Sequence, residues 1–213
     1  MKNLLVNFLF IAFFSLIIIN CSHSNEKGKE NMNINQDNTT QQEKKFTTNP
    51  HYIISVKLKE ANQELGEIEL ELFPDVAPKH VRNFDSLVSI KFFDGCAFHR
   101  VIPGFMIQGG DPNSKDKPKS TWGFGDPSQT RVPAEFNNIK HERGILSAAR
   151  SNDPNSATSQ FFIMVASAPH LDGQYTAYGK VVSGMDVVDK IVNQPRDGRD
   201  NPLDKVEMTI RKK

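Results

Sequence analysis

Residues 98–111 read Phe98-His99-Arg100-Val101-Ile102-Pro103-Gly104-Phe105-Met106-Ile107-Gln108-Gly109-Gly110-Asp111. Ala97–Val101 and Phe105–Gln108 are short strand-like runs, and the Pro-Gly pair between them is turn punctuation. No helix start follows Gly109-Gly110, so that pair serves a tight backbone path and not a phosphate site. The same texture continues on both sides. Upstream, Tyr52, Ile54, Val56 and Leu58 alternate with polar residues, as Ile68, Leu70 and Leu72 do with Glu67, Glu69 and Glu71. A period of two marks half-buried antiparallel strands, here joined by a turn around Asn62. Pro74 and Pro78 close the second strand. Pro78 suits the first turn of a helix, and Val81, Phe84 and Val88 follow at helical spacing. Downstream, strand-like runs at Ile145–Ala149, Phe161–Val165 and Ala177–Val182 precede an amphipathic helix over Met185–Val192 and a closing strand through Val206, Met208 and Ile210. About eight strands and two helices predict a mainly β fold, a barrel whose open ends need plugging.

The chain has 213 residues and a formal net charge of +1. That is enough for one domain with a real core. The near-neutral balance argues against a nucleic-acid binder, which carries a basic surplus or stripe. Phe dominates the aromatics, 15 against 3 Tyr and 1 Trp, and Phe on short strands fills a compact β-rich core. The two cysteines, Cys21 and Cys96, lie too far apart in character to pair, so the fold stands without a disulfide framework. Cys96 reads as a small buried hydrophobe. His51, His80 and His141 have no metal-ligand spacing, so neither metal nor cofactor is expected. Ser147, Ser156 and Ser159 sit in no nucleophile elbow.

Before residue 51 the sequence changes character. Lys2 is followed by Leu4 to Ile19, almost continuously apolar and broken only by Asn7 and Ser15. The run sits where a signal peptide's apolar core belongs and is short for a membrane span. It ends in Ile18-Ile19-Asn20-Cys21. This resembles the lipobox of bacterial lipoproteins, in which the cysteine is lipidated and becomes the first mature residue. The usual residue before that cysteine is Gly, Ala or Ser, and Asn20 departs from it. Ser22 to about Pro50 is polar and aperiodic, too poor in apolar groups to offset the entropy of ordering. The expected organisation is a signal peptide over 1–20, a lipidated Cys21 with a flexible polar linker over 21–50, and one domain over 51–213. The domain would be exported and anchored to a bacterial membrane, facing the periplasm or the cell surface.

The segment 98–111 resembles the signature of the cyclophilin family of peptidyl-prolyl cis–trans isomerases. Gly144-Ile145-Leu146-Ser147-Ala148-Ala149 with Ser159-Gln160-Phe161-Phe162-Ile163, and Leu171-Asp172-Gly173-Gln174-Tyr175-Thr176-Ala177-Tyr178-Gly179-Lys180-Val181, resemble two further family blocks in order and spacing. The likeness covers roughly Tyr52 to Arg211. Trp122-Gly123-Phe124-Gly125-Asp126-Pro127 and His170-Leu171-Asp172-Gly173 look more like bacterial members than animal ones. The resemblance implies an eight-stranded antiparallel barrel capped by two helices, acting as a monomer on proline-containing peptides and unfolded proteins.

The implied reaction breaks no bond. It rotates the amide before a proline, against a barrier of about 18–20 kcal/mol set by partial double-bond character. In the twisted state the nitrogen loses conjugation and exposes a lone pair. A fixed cationic donor aimed there stabilises the transition state more than the planar ground state. By resemblance, Arg100 is that donor. Phe105, Met106, Phe162 and Leu171 match positions that form an apolar slot for the proline ring. Gln108 and Gln160 match amides that hold Arg100 and the substrate carbonyl. Ala149 and Arg150 match a wall that pairs with the substrate backbone, and His99, a supporting histidine beside the arginine, is counted with the substrate-binding residues. His170 stands where cyclosporin-sensitive members carry Trp, so weak drug binding is expected. Arg150 stands where many members carry Asn, which adds charge at the rim. Tyr175 replaces a common histidine at the edge of the slot. Two functions follow: an isomerase assisting the folding of exported proteins, or a non-catalytic surface lipoprotein whose groove binds proline peptides. Retention of Arg100 favours the first, because a mere binder has no use for it.

Overall fold

The computed structural model describes residues 46–213; the expected signal peptide, Cys21 and the linker up to residue 45 lie outside the described residues. The described residues form eight strands and two α-helices. They are β1 (His51–Leu58), β2 (Gln63–Leu72), α1 (Pro78–Ser89), β3 (Phe98–Ile102), β4 (Met106–Gly109), β5 (Ile145–Ala148), β6 (Phe161–Met164), β7 (Ala177–Ser183), α2 (Met185–Val192) and β8 (Val206–Lys212). The strand order is β3-β4-β6-β5-β7-β2-β1-β8. The two outer strands also meet: Ala97 bridges Glu207, and the Met208 N–H donates to the Cys96 carbonyl at 2.8 Å. The sheet thus curls into a nearly closed antiparallel barrel, which leaves little free edge.

The alternating pattern of β1 and β2 has the expected outcome. Tyr52 faces Leu70 and Ile54 faces Ile68 across the pair, and all four are fully buried. The connecting turn carries Asn62 in the left-handed region, at φ 49°. The register slips after Val56, which pairs with Gly66 while Lys57 pairs with Glu64. At this bulge Gly66 has φ 129°, and a Cβ there would stand 2.7 Å from Val187 Cγ2 of α2. Glycine therefore both relaxes the bulge and lets α2 approach the sheet.

The phenylalanines form a connected aromatic core. Phe84 of α1 meets Tyr52, Phe93 and Phe161 at centroid distances of 5.2, 5.1 and 5.9 Å, and Phe161 meets Phe98 edge-on at 6.1 Å. Val81 and Val88 of α1, and Val187, Val188, Ile191 and Val192 of α2, enter the same core. The Tyr52 hydroxyl donates to Asp85 at 2.6 Å, and Lys212 reaches the same carboxylate at 3.0 Å. Burial, with Asp85 beside it, pushes the Tyr52 phenol well above its usual range. Cys96 is fully buried and its thiol is pushed up to about 12, chiefly by burial.

The last residues of the polar stretch, Phe46–Pro50, lie on the domain. Phe46 packs against the core and lies under the Lys212 ammonium at 5.6 Å. The Asn49 amide donates to Glu71 at 2.7 Å, and the Pro50 carbonyl accepts the Leu72 N–H at 3.0 Å. One apolar ring and the β2 edge suffice to hold a segment whose composition reads as tether. Phe84→Ala should destabilise the fold by about 3–5 kcal/mol, since a filled aromatic core relaxes only partly around a cavity. A denaturant midpoint that shifts by less than about 1 kcal/mol would show that Phe84 is not central to the core.

Candidate active site

Barrel closure brings β3, β4, β6 and the end of β5 together along one flank. Arg100, Phe105, Met106, Gln108, Ala149, Arg150, Phe162, His170, Leu171 and Tyr175 line a single groove of about 430 Å³ there, with Gln174 as a further wall residue. Met106, Phe162 and Leu171 form its floor, part of a small apolar cluster separate from the barrel core. Phe105 and His170 stack at 5.9 Å and raise one side. Phe162 and Tyr175 meet edge-on at 5.8 Å on the other. An adjoining hollow of about 310 Å³ is shared by Gln108, Ala149 and Arg150 and continues past Gln160 to Gly123, Phe124 and Gly125.

The polar side of the groove is a directed line of hydrogen bonds. The Gly123 carbonyl can only accept, and it receives Gln160 Nε2 at 3.2 Å. Gln160 Oε1 is thereby turned toward Gln108 Nε2, 3.0 Å away. Gln108 Oε1 then faces Arg100 Nη1 at 3.4 Å. Each amide orientation follows from the one before it, so the acceptor offered to the guanidinium is fixed by a backbone carbonyl. Arg100 is exposed at the groove mouth, where a peptide can meet it.

Asp111 anchors this line, a role the sequence did not assign. It is fully buried, and its carboxylate accepts the N–H groups of Gly123 and Asn113. Asn113 in turn donates to the Gly125 carbonyl at 2.8 Å. Together they shape the loop that presents the Gly123 carbonyl. Gly110 makes the necessary bend at φ 84°, where a Cβ would stand 2.7 Å from the Ser159 carbonyl oxygen. The signal for Asp111 lay in its place after Gly109-Gly110, but nothing local pointed to a partner twelve residues on.

His99 does not reach the groove. Its ring is buried beneath Gly123, and neither nitrogen makes a hydrogen bond of normal geometry within the protein. A place in the peptide-contacting set is therefore corrected to one beneath it. Burial, opposed by Asp111, pushes its pKa down to about 4, so at neutral pH it adds no charge beside Arg100.

A second buried network lies under the slot. The His141 ring stacks on Phe162 at 6.1 Å, with Nδ1 3.2 Å from Asp172 and Nε2 3.0 Å from Ser147 Oγ. The order Ser-His-Asp is that of a nucleophilic triad, but Ser147 is wholly buried and no substrate can reach it. The network instead braces the back of Phe162. The His141 backbone N–H, foremost, holds the Asp172 carboxyl below its ordinary range.

A nearly closed barrel, an apolar slot and, beside it, an arginine held by a glutamine amide are the features of a peptide-binding isomerase of the rotamase class. The comparisons with known proteins agree. The profile described as cyclophilin type peptidyl-prolyl cis-trans isomerase matches residues 53–212. A Brucella suis protein named probable peptidyl-prolyl cis-trans isomerase is 49% identical over 146 residues, covering 67% of this chain and 72% of its own length. An Acinetobacter baylyi peptidyl-prolyl cis-trans isomerase is 45% identical over 141 residues, covering 64% of this chain and 72% of its own length. The crystal structure of a Cryptosporidium parvum cyclophilin superposes with a TM-score of 0.68 at 30% identity, covering 78% of this chain and 98% of that one. The chain belongs to the cyclophilin-type peptidyl-prolyl cis–trans isomerase family.

The neutral His99 has a measurable consequence. Its unfolded form takes up a proton near the ordinary histidine pKa of about 6.5, while the folded form resists until about 4. Between these values the unfolded state binds more protons, so stability falls as pH falls. From pH 7 to pH 5 the loss from this residue should be about 2 kcal/mol. Chemical denaturation of His99→Gln over that range should show a shallower pH slope than the parent; equal slopes would mean that His99 is charged in the fold.

Proposed function

We propose that this isomerase works through Arg100 as the donor to the twisted prolyl nitrogen, and that it assists the folding of exported proteins from a lipid anchor on Cys21. The single observation that supports the site most strongly is the line from Gly123 through Gln160 and Gln108 to Arg100. Among the described residues no carboxylate pairs with this cation, so the charge stays available to a substrate. Gln108 Nε2 spends one proton on Gln160 and keeps a second for the substrate carbonyl. The ring of proline enters between Phe105, Phe162 and Leu171 over Met106, and Ala149 and Arg150 form the wall beside the substrate backbone.

In the ground state the prolyl nitrogen is conjugated and a poor acceptor. As the amide twists, the nitrogen becomes pyramidal and its lone pair turns to Arg100. A charge-assisted hydrogen bond made only then contributes about 1.5–3 kcal/mol, or about one to two powers of ten in rate. The remainder comes from holding the peptide across a partly dry slot with its carbonyl fixed. No proton changes owner, which accords with a neutral, buried His99 having no acid–base task. A Cryptosporidium parvum cyclophilin of 31% identity was crystallised in the presence of the dipeptide Ala-Pro, and we take Ala-Pro as the minimal ligand for this groove. His170 leaves the slot without the large indole expected for strong cyclosporin binding.

The full-length chain in mild detergent should accelerate exchange in a short X-Pro peptide, read by NMR. Arg100→Ala should lose about one to two powers of ten while still binding the peptide. An Arg100→Ala variant as fast as its parent would remove the arginine from the mechanism. The anchor is tested separately: labelled palmitate should mark the parent in cells and leave Cys21→Ala unmarked. Equal labelling of both would refute lipidation at Cys21.

A further inference from the structure

Two of the positions that depart from the family pattern meet in space. The guanidinium of Arg150 lies over the ring of Tyr175, 4.3 Å from its centroid. Arg150 Nε and Nη2 donate to the Gln174 carbonyl at 3.3 and 3.0 Å, and Nη1 donates to the carbonyls of Ser151 at 2.8 Å and Asn152 at 3.5 Å. Every one of these partners is a neutral carbonyl or an aromatic face. Among the described residues no carboxylate pairs with it. Tyr175 is itself set by the edge of Phe162, the floor of the proline slot.

The result is a cation whose side chain is already ordered and whose charge is not cancelled. A guanidinium has five N–H groups, and the four bonds above leave one for an incoming acceptor. Arg150 lines both the proline slot and the hollow next to it, so it stands beside the path of a peptide that crosses the site. The slot's other titratable groups are Arg100, His170 and Tyr175, and none of its lining residues is an aspartate or glutamate. In the adjoining hollow the lining charges are Asp126 and Arg131. Asp126 is turned to Ser128, which gives it both its N–H and its hydroxyl, and Arg131 pairs with Asp153 at 3.4 Å. The slot lining is therefore net positive, while in the hollow Asp126 keeps its negative charge and Asp153 offsets Arg131.

We propose that the Arg150–Tyr175 clamp makes this isomerase select X-Pro segments carrying Asp or Glu within two residues of the proline. The proposal rests on the reading of the groove as the isomerase site and names its substrate class. A glutamate beside the clamp gains a prepaid cationic partner, and a lysine at the same place is repelled. One exposed ion pair of this kind changes affinity by about 1.4-fold to fivefold, the contrast between an attracted Glu and a repelled Lys is about threefold to tenfold, and both are screened by salt.

The test uses the full-length chain in mild detergent with matched peptides that differ only in Glu, Gln or Lys at the residues flanking an Ala-Pro pair. Exchange NMR reads both affinity and isomerisation rate for each. The expected result is a Glu peptide bound about threefold to tenfold more tightly than its Lys counterpart, with Gln between them. Most of the difference should lie in KM, and 0.5 M NaCl should remove most of it. Arg150→Asn should bring the Glu-to-Lys ratio close to one, while Arg150→Lys should keep part of it. A parent that turns over all three peptides with equal KM overturns the selection and leaves the isomerase reading standing. A parent that accelerates none, yet binds the Glu peptide best in low salt only, sinks the isomerase reading and keeps the selection. A Glu preference that survives both Arg150→Asn and high salt also overturns the proposal, since another feature then produces it.

Discussion

The groove depends on how a positive charge is held at a protein surface without being neutralised. A carboxylate beside Arg100 would fix it firmly and also compete for the bond the reaction needs. Here the carboxylate is displaced by several links. Asp111 orders the Gly123 loop, Gly123 orients Gln160, Gln160 orients Gln108, and only then is Arg100 reached. The negative charge is spent on backbone N–H groups in the interior, and the guanidinium meets a neutral amide oxygen. Chain direction matters in such a relay, because an amide has one donating and one accepting end.

The apolar half of the site obeys a related constraint. Phe162 must be firm enough to receive a proline ring but cannot lie deep in the barrel core. It belongs to a small satellite cluster with Met106, Met164, Ala168 and Leu171. Its outer face meets Tyr175, and its back lies against the His141 ring. His141 is fixed in turn by Asp172 and Ser147. Polar groups buried in this way keep one rotamer in a region too thin for packing alone to define.

Much of the architecture was legible because barrel strands leave a period-two trace. The runs at 51–58, 63–72 and 206–212 alternate in sequence and in burial, and Met185–Val192 forms the helix its spacing predicts. The groove residues were reached only by resemblance, since Phe105, Met106 and Phe162 look like any core residue. The stretch from 110 to 144 left little trace. Its order comes from side chains that satisfy backbone groups, such as Asp111 and Asn113, and those bonds have no period. The same holds for the contact of Arg150 with Tyr175, which are distant in sequence and joined only when β5 and β7 pair. His99 shows the reverse failure: adjacency to Arg100 in a strand placed it on the opposite face, as alternation requires.

The strap formed by Phe46–Pro50 lies against β2 and β8, and none of its residues lines the groove. In the ring of eight, β1 is four strands from β6, which bears Phe162, and two from β3, which bears Arg100. A bead or a sensor chip attached ahead of Phe46 therefore reaches the domain through residues that take no part in the groove. Immobilisation through this end should be the orientation of choice for kinetic work, and a fusion at the same end the least intrusive.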